Sequence, residues 1–334
     1  MIRSIQAARG VAALLVLLFH ASQSIFALPK YFGGMPFGDA FGFGHAGVDF
    51  FFVLSGFIIA HAHRDDVGHP ERWRKYAWKR IRRIYPPYWV ITLLILPVFF
   101  AVPSWGDGHE RQPWVIASSL LLLPRAKPPV LGVAWFLCYE VLFYALFLSF
   151  LVGRRTGLAV FTIWGALTIA LHARFAFPGA FLLNLHNLQF AMGMIVAAVH
   201  SRARVPYARA IAVAGAAAFF GAGAVEVCTR WLGESSLQMA YGASSAVLVL
   251  GLAEAERAGR LRVPEGMVFL GAASYSIYLA HIPALSLIAK VAVRLGLPNA
   301  MPHRAAFVLI SVAATAACIG YYLVVERPLL RLPK

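Results

Sequence analysis

Acidic residues are scarce in this chain, with 14 Asp and Glu against 30 Lys and Arg in 334 residues, and charged residues of either sign make up only 13%. A soluble domain carries about a quarter of its residues charged, so the shortage excludes an ordinary water-soluble globule. Cysteine is scarce as well. Cys138, Cys228 and Cys318 lie in or beside separate apolar runs, without the spacing of a metal cage. No disulfide framework is implied, no zinc site, and no resident metal or cofactor. Long hydrophilic stretches, short repeats and low-complexity linkers are also missing, so residues 1–334 read as one domain.

What fills the chain instead is apolar sequence, 60% of all residues. Ten runs approach the length a helix needs to cross a bilayer: 5–26, 46–62, 87–104, 135–152, 157–173, 184–200, 210–227, 237–255, 267–286 and 305–325. The pattern predicts an all-α integral membrane protein of about ten transmembrane helices. The run 113–123 is too short to cross and reads as interfacial or re-entrant. With that segment kept on one side, 20 of the 30 basic residues fall on a single face, in loops such as 64–83, 202–209 and 257–262. An excess of Lys and Arg marks the cytoplasmic side, so both termini are expected in the cytoplasm. The net charge of +16 is what such loops and anionic lipid require, not a sign of nucleic-acid binding.

The first run carries Arg9 and, eleven residues on, His20. At 3.6 residues per turn both fall on one face, about 16 Å apart along the axis, in a stripe with Gln6, Ala13, Val16 and Ser24. A signal peptide would also place arginines before an apolar run; a chain that is membrane-embedded throughout keeps such a helix as an anchor. Ionisable residues recur inside later runs, where they are costly and mark candidate sites. Asp49 lies in Gly47-Val48-Asp49-Phe50-Phe51-Phe52-Val53-Leu54-Ser55-Gly56-Phe57, whose glycines and Ser55 read as a packing seam. Glu140 follows Trp135 and is flanked by large apolar residues. His281 shares a helical face with Ser274 and Tyr278. The basic loop ends Arg80-Ile81-Arg82-Arg83-Ile84-Tyr85-Pro86-Pro87-Tyr88-Trp89, which reads as a lipid-facing anchor or as a phosphate seat with aromatic flanks. Asn184, His186, Asn187 and Gln189 open another span and line an acceptor site or face headgroups.

Counting about 1.5 Å of rise per residue from the span ends places His20, Asp49, Glu140 and His281 in the outer third of the membrane. Arg9, Arg80 and Arg83 fall at its cytoplasmic side. Buried His and carboxylates at one depth also suit a transporter or flippase, but that class is marked by inverted repeats and broken helices, and no convincing ones are visible.

The five segments Arg9 to His20, Gly47 to Phe57, Arg80 to Tyr88, Trp135 to Glu140 and Ser274 to His281, in this order, resemble the acyltransferase 3 family of bacterial membrane proteins over nearly the whole chain, most of all its short exopolysaccharide-type members. The resemblance implies a multi-pass protein of the bacterial inner membrane. It implies transfer of an acyl group, usually acetyl, from a cytoplasmic acyl-CoA such as acetyl-CoA to a hydroxyl of a carbohydrate or lipid-linked glycan at the extracytoplasmic face. The family's helix-one Arg and His fall on Arg9 and His20, its basic motif on Arg80 and Arg83 with Tyr85 beside them, and its acidic residue on Glu140. His20 is then expected as general base or transient acyl carrier, with Glu140 orienting its ring. Asp49 and His281 are further catalytic candidates, and Trp135, Ser274 and Tyr278 supporting ones. The acceptor, the acyl chain length and the oligomeric state stay open.

Overall fold

The computed structural model describes residues 2–229 and 231–331; Lys334, one of the basic residues assigned to the cytoplasm, lies outside them. Every regular element among the described residues is helical. In chain order the α-helices are α1 (Arg3–His20), α2 (Gly47–Ala62), α3 (Trp73–Ala101), α4 (Pro113–Leu120), α5 (Trp135–Val152), α6 (Arg154–Leu171), α7 (Gly179–Leu182), α8 (His186–Arg202), α9 (Ala208–Thr229), α10 (Glu234–Arg257), α11 (Glu265–Ala272), α12 (Ser274–Arg294), α13 (Leu297–Ala300), α14 (His303–Tyr321) and α15 (Arg327–Arg331). Among the described residues nine helical stretches are long and apolar enough to cross a membrane.

Three expected boundaries move. The pair Pro86-Pro87 looks like a helix start, because proline suits the first turn, yet α3 begins at Trp73 and carries both prolines in its interior. The basic segment is therefore largely helix, not loop. The expected span 157–173 forms α6, but Arg154 and Arg155 occupy its first turn and it is not among the nine. The expected span 267–286 is broken at Ala273 between α11 and α12. The short run keeps its expected character: α4 has eight residues, about 12 Å of helix, against a hydrocarbon core of about 30 Å.

The chain forms two compact units, each discontinuous in sequence: Met1–Phe51 with Arg202–Val324, and Phe52–Ser201 with Val325–Lys334. In the first, α1 packs against α11, α12 and the 3-10 segment Gly38–Ala46. Small residues set that approach. A Cβ on Gly271 would run into the Gln6 carbonyl, and one on Gly10 would meet Leu270 and Gly271. Helices in lipid gain little from burying apolar surface and so use such close backbone contact instead. The N-terminal end is tied down by Glu256, which accepts the Arg3 and Ser4 main-chain N–H groups at 2.8 and 2.6 Å, satisfying two donors that a helix start leaves orphaned.

In the second unit the end of α2 crosses α8 in the same way, with Gly193 against the Val53 carbonyl and Gly56 against the Phe190 carbonyl. Gly193→Ala forces these backbones apart at a cost of about 1–3 kcal/mol, read as a fall of several degrees in thermal denaturation of the detergent-solubilised protein. Gly221→Ala, where a Cβ meets nothing within 4 Å, is the matched control and leaves stability unchanged or raised.

Candidate functional site

His20 is the last residue of α1, and the next turn, Ala21–Phe26, widens into a π-helix, a local departure often found at functional sites. Its Nδ1 lies 2.9 Å from the Val16 carbonyl oxygen and 3.1 Å from Nε2 of His281. His281 is fully buried, and its own Nδ1 lies 2.7 and 3.1 Å from the carbonyls of Tyr278 and Ile277.

Carbonyl oxygens only accept, which fixes the tautomers by hydrogen-bond logic. Nδ1 of His281 must carry a proton and donate to Tyr278. Nδ1 of His20 must likewise carry one, because Val16 O faces it. His281 Nε2 is then the acceptor of a shared His20 Nδ1–H, and the lone pair of His20 is left on Nε2. The two imidazoles form a directed pair in which one ring orients the other. Within this unit the group that meets the His20 ring is His281; Glu140, expected to orient His20, belongs to the second unit. The main-chain carbonyls of α12 fix the ring of His281, while Tyr278 adds an aromatic wall at 6.0 Å. Ser274 is fully buried at the start of α12, and its Oγ has no hydrogen-bond partner among the described residues.

A second cluster in the same unit was not read from the sequence. His45 Nε2 lies 2.8 Å from Glu226 Oε1, and Tyr241 donates its hydroxyl to the other carboxylate oxygen. Phe19 packs edge-on against both His20 and His45, with ring centroids 4.9 and 5.5 Å away. Asp49 is buried one helical turn beyond His45. The sequence signal was available, since Glu226 is the lone carboxylate in the apolar helix α9. Arg9 takes the Gln6 side-chain carbonyl at 3.1 Å and sits three turns before His20 on α1.

The remaining predicted residues belong to the second unit. Glu140 is buried and accepts from Tyr144 Oη at 2.6 Å and Ser55 Oγ at 3.0 Å. The guanidinium of Arg80 stands 5.9 Å from the centroid of the Tyr144 ring, a cation–π distance; its Nε has no hydrogen-bond acceptor among the described residues. Arg83 pairs with Glu326 at 2.6 Å, and the Glu326 side chain is wholly buried. The aromatics of the same motif have a local task. Tyr85, Tyr88 and Trp89 donate to the carbonyls of Leu121, Ser119 and Leu120 at 3.1, 2.8 and 2.8 Å. The carbonyls of Leu120 and Leu121 lie past the reach of the intrahelical ladder at the end of α4, so Tyr85 and Trp89, expected as aromatic flanks of a phosphate seat, also hold α4 in place. Trp135, Phe52 and Tyr139 pack as a triangle of rings with centroids 5.8 to 6.0 Å apart, with His186 stacked on Phe52. Three groups outside these sites, Asp107, His109 and Glu110, bring their ligand atoms within 4.8 Å of one another.

Residues 2–323 match the family described as "Acyltransferase domain" (Acyl_transf_3). The chain is 32% identical over 329 residues to the exopolysaccharide production protein ExoZ of Rhizobium meliloti (strain 1021), covering 94% of this chain and 95% of that protein. It is 30% identical over 171 residues to Protein 2 in picA locus of Rhizobium radiobacter, covering 47% of this chain and 79% of that protein. No solved structure matches it.

Proposed function

Since this chain belongs to the acyltransferase family Acyl_transf_3, we propose that it is a bacterial inner-membrane O-acyltransferase that moves acetyl from cytoplasmic acetyl-CoA to a hydroxyl of an exopolysaccharide or its lipid-linked precursor. The relative named for exopolysaccharide production, similar from end to end, supports the acceptor class. The observation that carries the chemistry is the oriented pair of His20 and His281.

In the proposed reaction His20 Nε2 takes the proton of the acceptor hydroxyl while that oxygen attacks the thioester carbonyl. The C–S bond breaks, the acyl group stays on the oxygen, and the imidazolium returns the proton to the departing CoA thiolate. His281 Nε2 accepts the Nδ1–H throughout and so stabilises the positive ring. A transient acyl-imidazole would form on the same Nε2. Arg9 is assigned to the donor phosphates, because a guanidinium pairs well with phosphate; Ala13 and Val16, between it and His20, are fully buried. The basic stretch of α3 containing Arg80 and Arg83 is assigned to drawing the polyanionic donor to the cytoplasmic surface. Asp49 and His45 with Glu226 are assigned to the electrostatics around His20. Arg9→Ala is expected to weaken acetyl-CoA binding about tenfold or more, as for a lost charge-assisted contact; an unchanged Kd in a titration would remove Arg9 from the donor site.

The proposed topology counts α6 as a tenth crossing, with both termini in the cytoplasm. Only then do Arg154, Arg155 and the Arg202–Arg209 cluster share the cytoplasmic side. Alkaline phosphatase fused after Ala173 should be active, and fused at the C-terminus inactive; an active C-terminal fusion would take α6 out of the membrane. Function is tested with purified protein in vesicles containing polysaccharide: acetyl-CoA added outside should release free CoA thiol only when acceptor is present, with the label recovered on glycan. Thiol release independent of acceptor would contradict the transfer reaction.

A further inference from the structure

The second unit contains a cavity of about 530 Å³ bounded by the loop Leu123–Pro129, the first turns of α5 and the segment from Phe177 to Asn184. Its volume lies in the ~300–1,000 Å³ range of small-molecule sites. Its chemistry is uneven. One wall is aromatic, made by Trp135 and Tyr139 on successive turns of α5 and by Phe177 and Phe181. The lining also includes Arg125 and Lys127, neither of which has a carboxylate partner among the described residues.

The loop that bears these cations is built, not slack. Tyr85, Trp89 and Tyr88 fix the end of α4 immediately before it. Leu122 is buried with φ of 53°, a left-handed conformation that costs a non-glycine residue about 1–2 kcal/mol; such strain collects where a fixed geometry is needed. Val130 N donates to Ser119 Oγ at 3.0 Å, closing the loop, and Pro124, Pro128 and Pro129 stiffen it. Arg125 is anchored by the Pro128 carbonyl at 2.6 Å, which uses only part of its five-donor fork.

From this juxtaposition we infer that the cavity is a binding site for an acidic sugar unit, a pyranose bearing a carboxylate. The apolar C–H face of the ring lies on the aromatic wall, and the carboxylate takes the guanidinium of Arg125 and the ammonium of Lys127. An aromatic wall alone would suit any hexose, and the two unpaired cations select the charged one. Both flanking segments, 123–129 and 177–184, are extracytoplasmic in the topology proposed above. The inference rests on the acyltransferase reading in that the bound sugar would be part of the acceptor.

The test reads binding separately from transfer. Calorimetric titration of the full chain in nanodiscs uses tetragalacturonate as acidic probe and maltotetraose as neutral one. Wild type should bind the acidic probe at least about tenfold more tightly, the scale of one lost charge-assisted contact. Arg125→Gln/Lys127→Gln should lose that preference while its melting temperature and acetyl-CoA affinity hold. Phe177→Ala, at an exposed position, should weaken both probes by a similar factor. Equal affinity for the two probes in wild type, a preference untouched by the double substitution, or tight binding of pyrophosphate alone would each overturn the assignment. Transfer to glycan without any charge preference overturns this site alone. Charge-dependent binding without transfer overturns the acyltransferase reading and leaves the site standing.

Discussion

His20→Ala lowers kcat for glycan acylation by about 10²- to 10⁴-fold, a loss that an assay of cell-surface acylation reads as abolition. The size follows from the atom removed. Nε2 of His20 is the nitrogen of the imidazole pair whose lone pair hydrogen-bond logic leaves for the substrate, because the carbonyls of Val16, Tyr278 and Ile277 make both Nδ1 atoms donors and the lone pair of His281 Nε2 accepts from His20. The substitution shortens a partly buried side chain at the end of α1, so insertion and yield should match wild type. His281→Ala is expected to be milder, since Val16 still accepts the Nδ1–H of His20 and keeps the correct tautomer populated. His281 acts through His20 as a positioning residue. Its loss should lower kcat about tenfold to a hundredfold, as for a second-shell orienting group, with KM for acetyl-CoA unchanged. His281→Gln, whose amide oxygen can take the same N–H, should recover part of the rate, where a purely packing role would show no such rescue. Full activity in His20→Ala would remove the histidine pair from the mechanism.

Arg83→Ala destabilises the protein before it affects any donor contact. Glu326 has no exposed side-chain surface, and its carboxylate meets Arg83 at 2.6 Å. Removing one partner of a buried pair costs about 3–5 kcal/mol; the lower end applies because 29% of the Arg83 side chain remains exposed. Fluorescence-detected size exclusion after heating should show a sharply lower midpoint for Arg83→Ala. The double variant Arg83→Met/Glu326→Gln should regain most of it, because no charge is left buried. Were Arg83→Ala as stable as wild type but poor in acetyl-CoA binding, Arg83 would be a donor ligand and its pairing with Glu326 incidental.

The legibility of this chain depended on the kind of signal. The start of α2, expected at 46 and found at Gly47, and both ends of α5 at Trp135 and Val152 were visible because apolar runs begin and stop abruptly there. α3 was misjudged at its start, since Pro86-Pro87 imitates a helix beginning; only packing shows that the basic turns from Trp73 onward already belong to it. The depth argument placed His20 and His281 in one layer, and the structure brings them to 3.1 Å. The same argument put Glu140 in that layer, but height along a helix carries no information about which way a side chain faces, and within its own unit Glu140 accepts from Tyr144 and Ser55. Glu226 was visible as the lone carboxylate of α9, but its link to His45, 181 residues away, and to Tyr241, 15 residues on, was not, since no local spacing announces either partner.

The most direct test of the central claim compares surface polysaccharide from cells lacking the gene, complemented with either wild type or His20→Ala, by mass spectrometry. Wild type should restore one acetyl mass on the glycan and His20→Ala should not, with both proteins present equally in the membrane fraction. Restoration by His20→Ala, or glycans that are identical with and without the gene, would contradict the account.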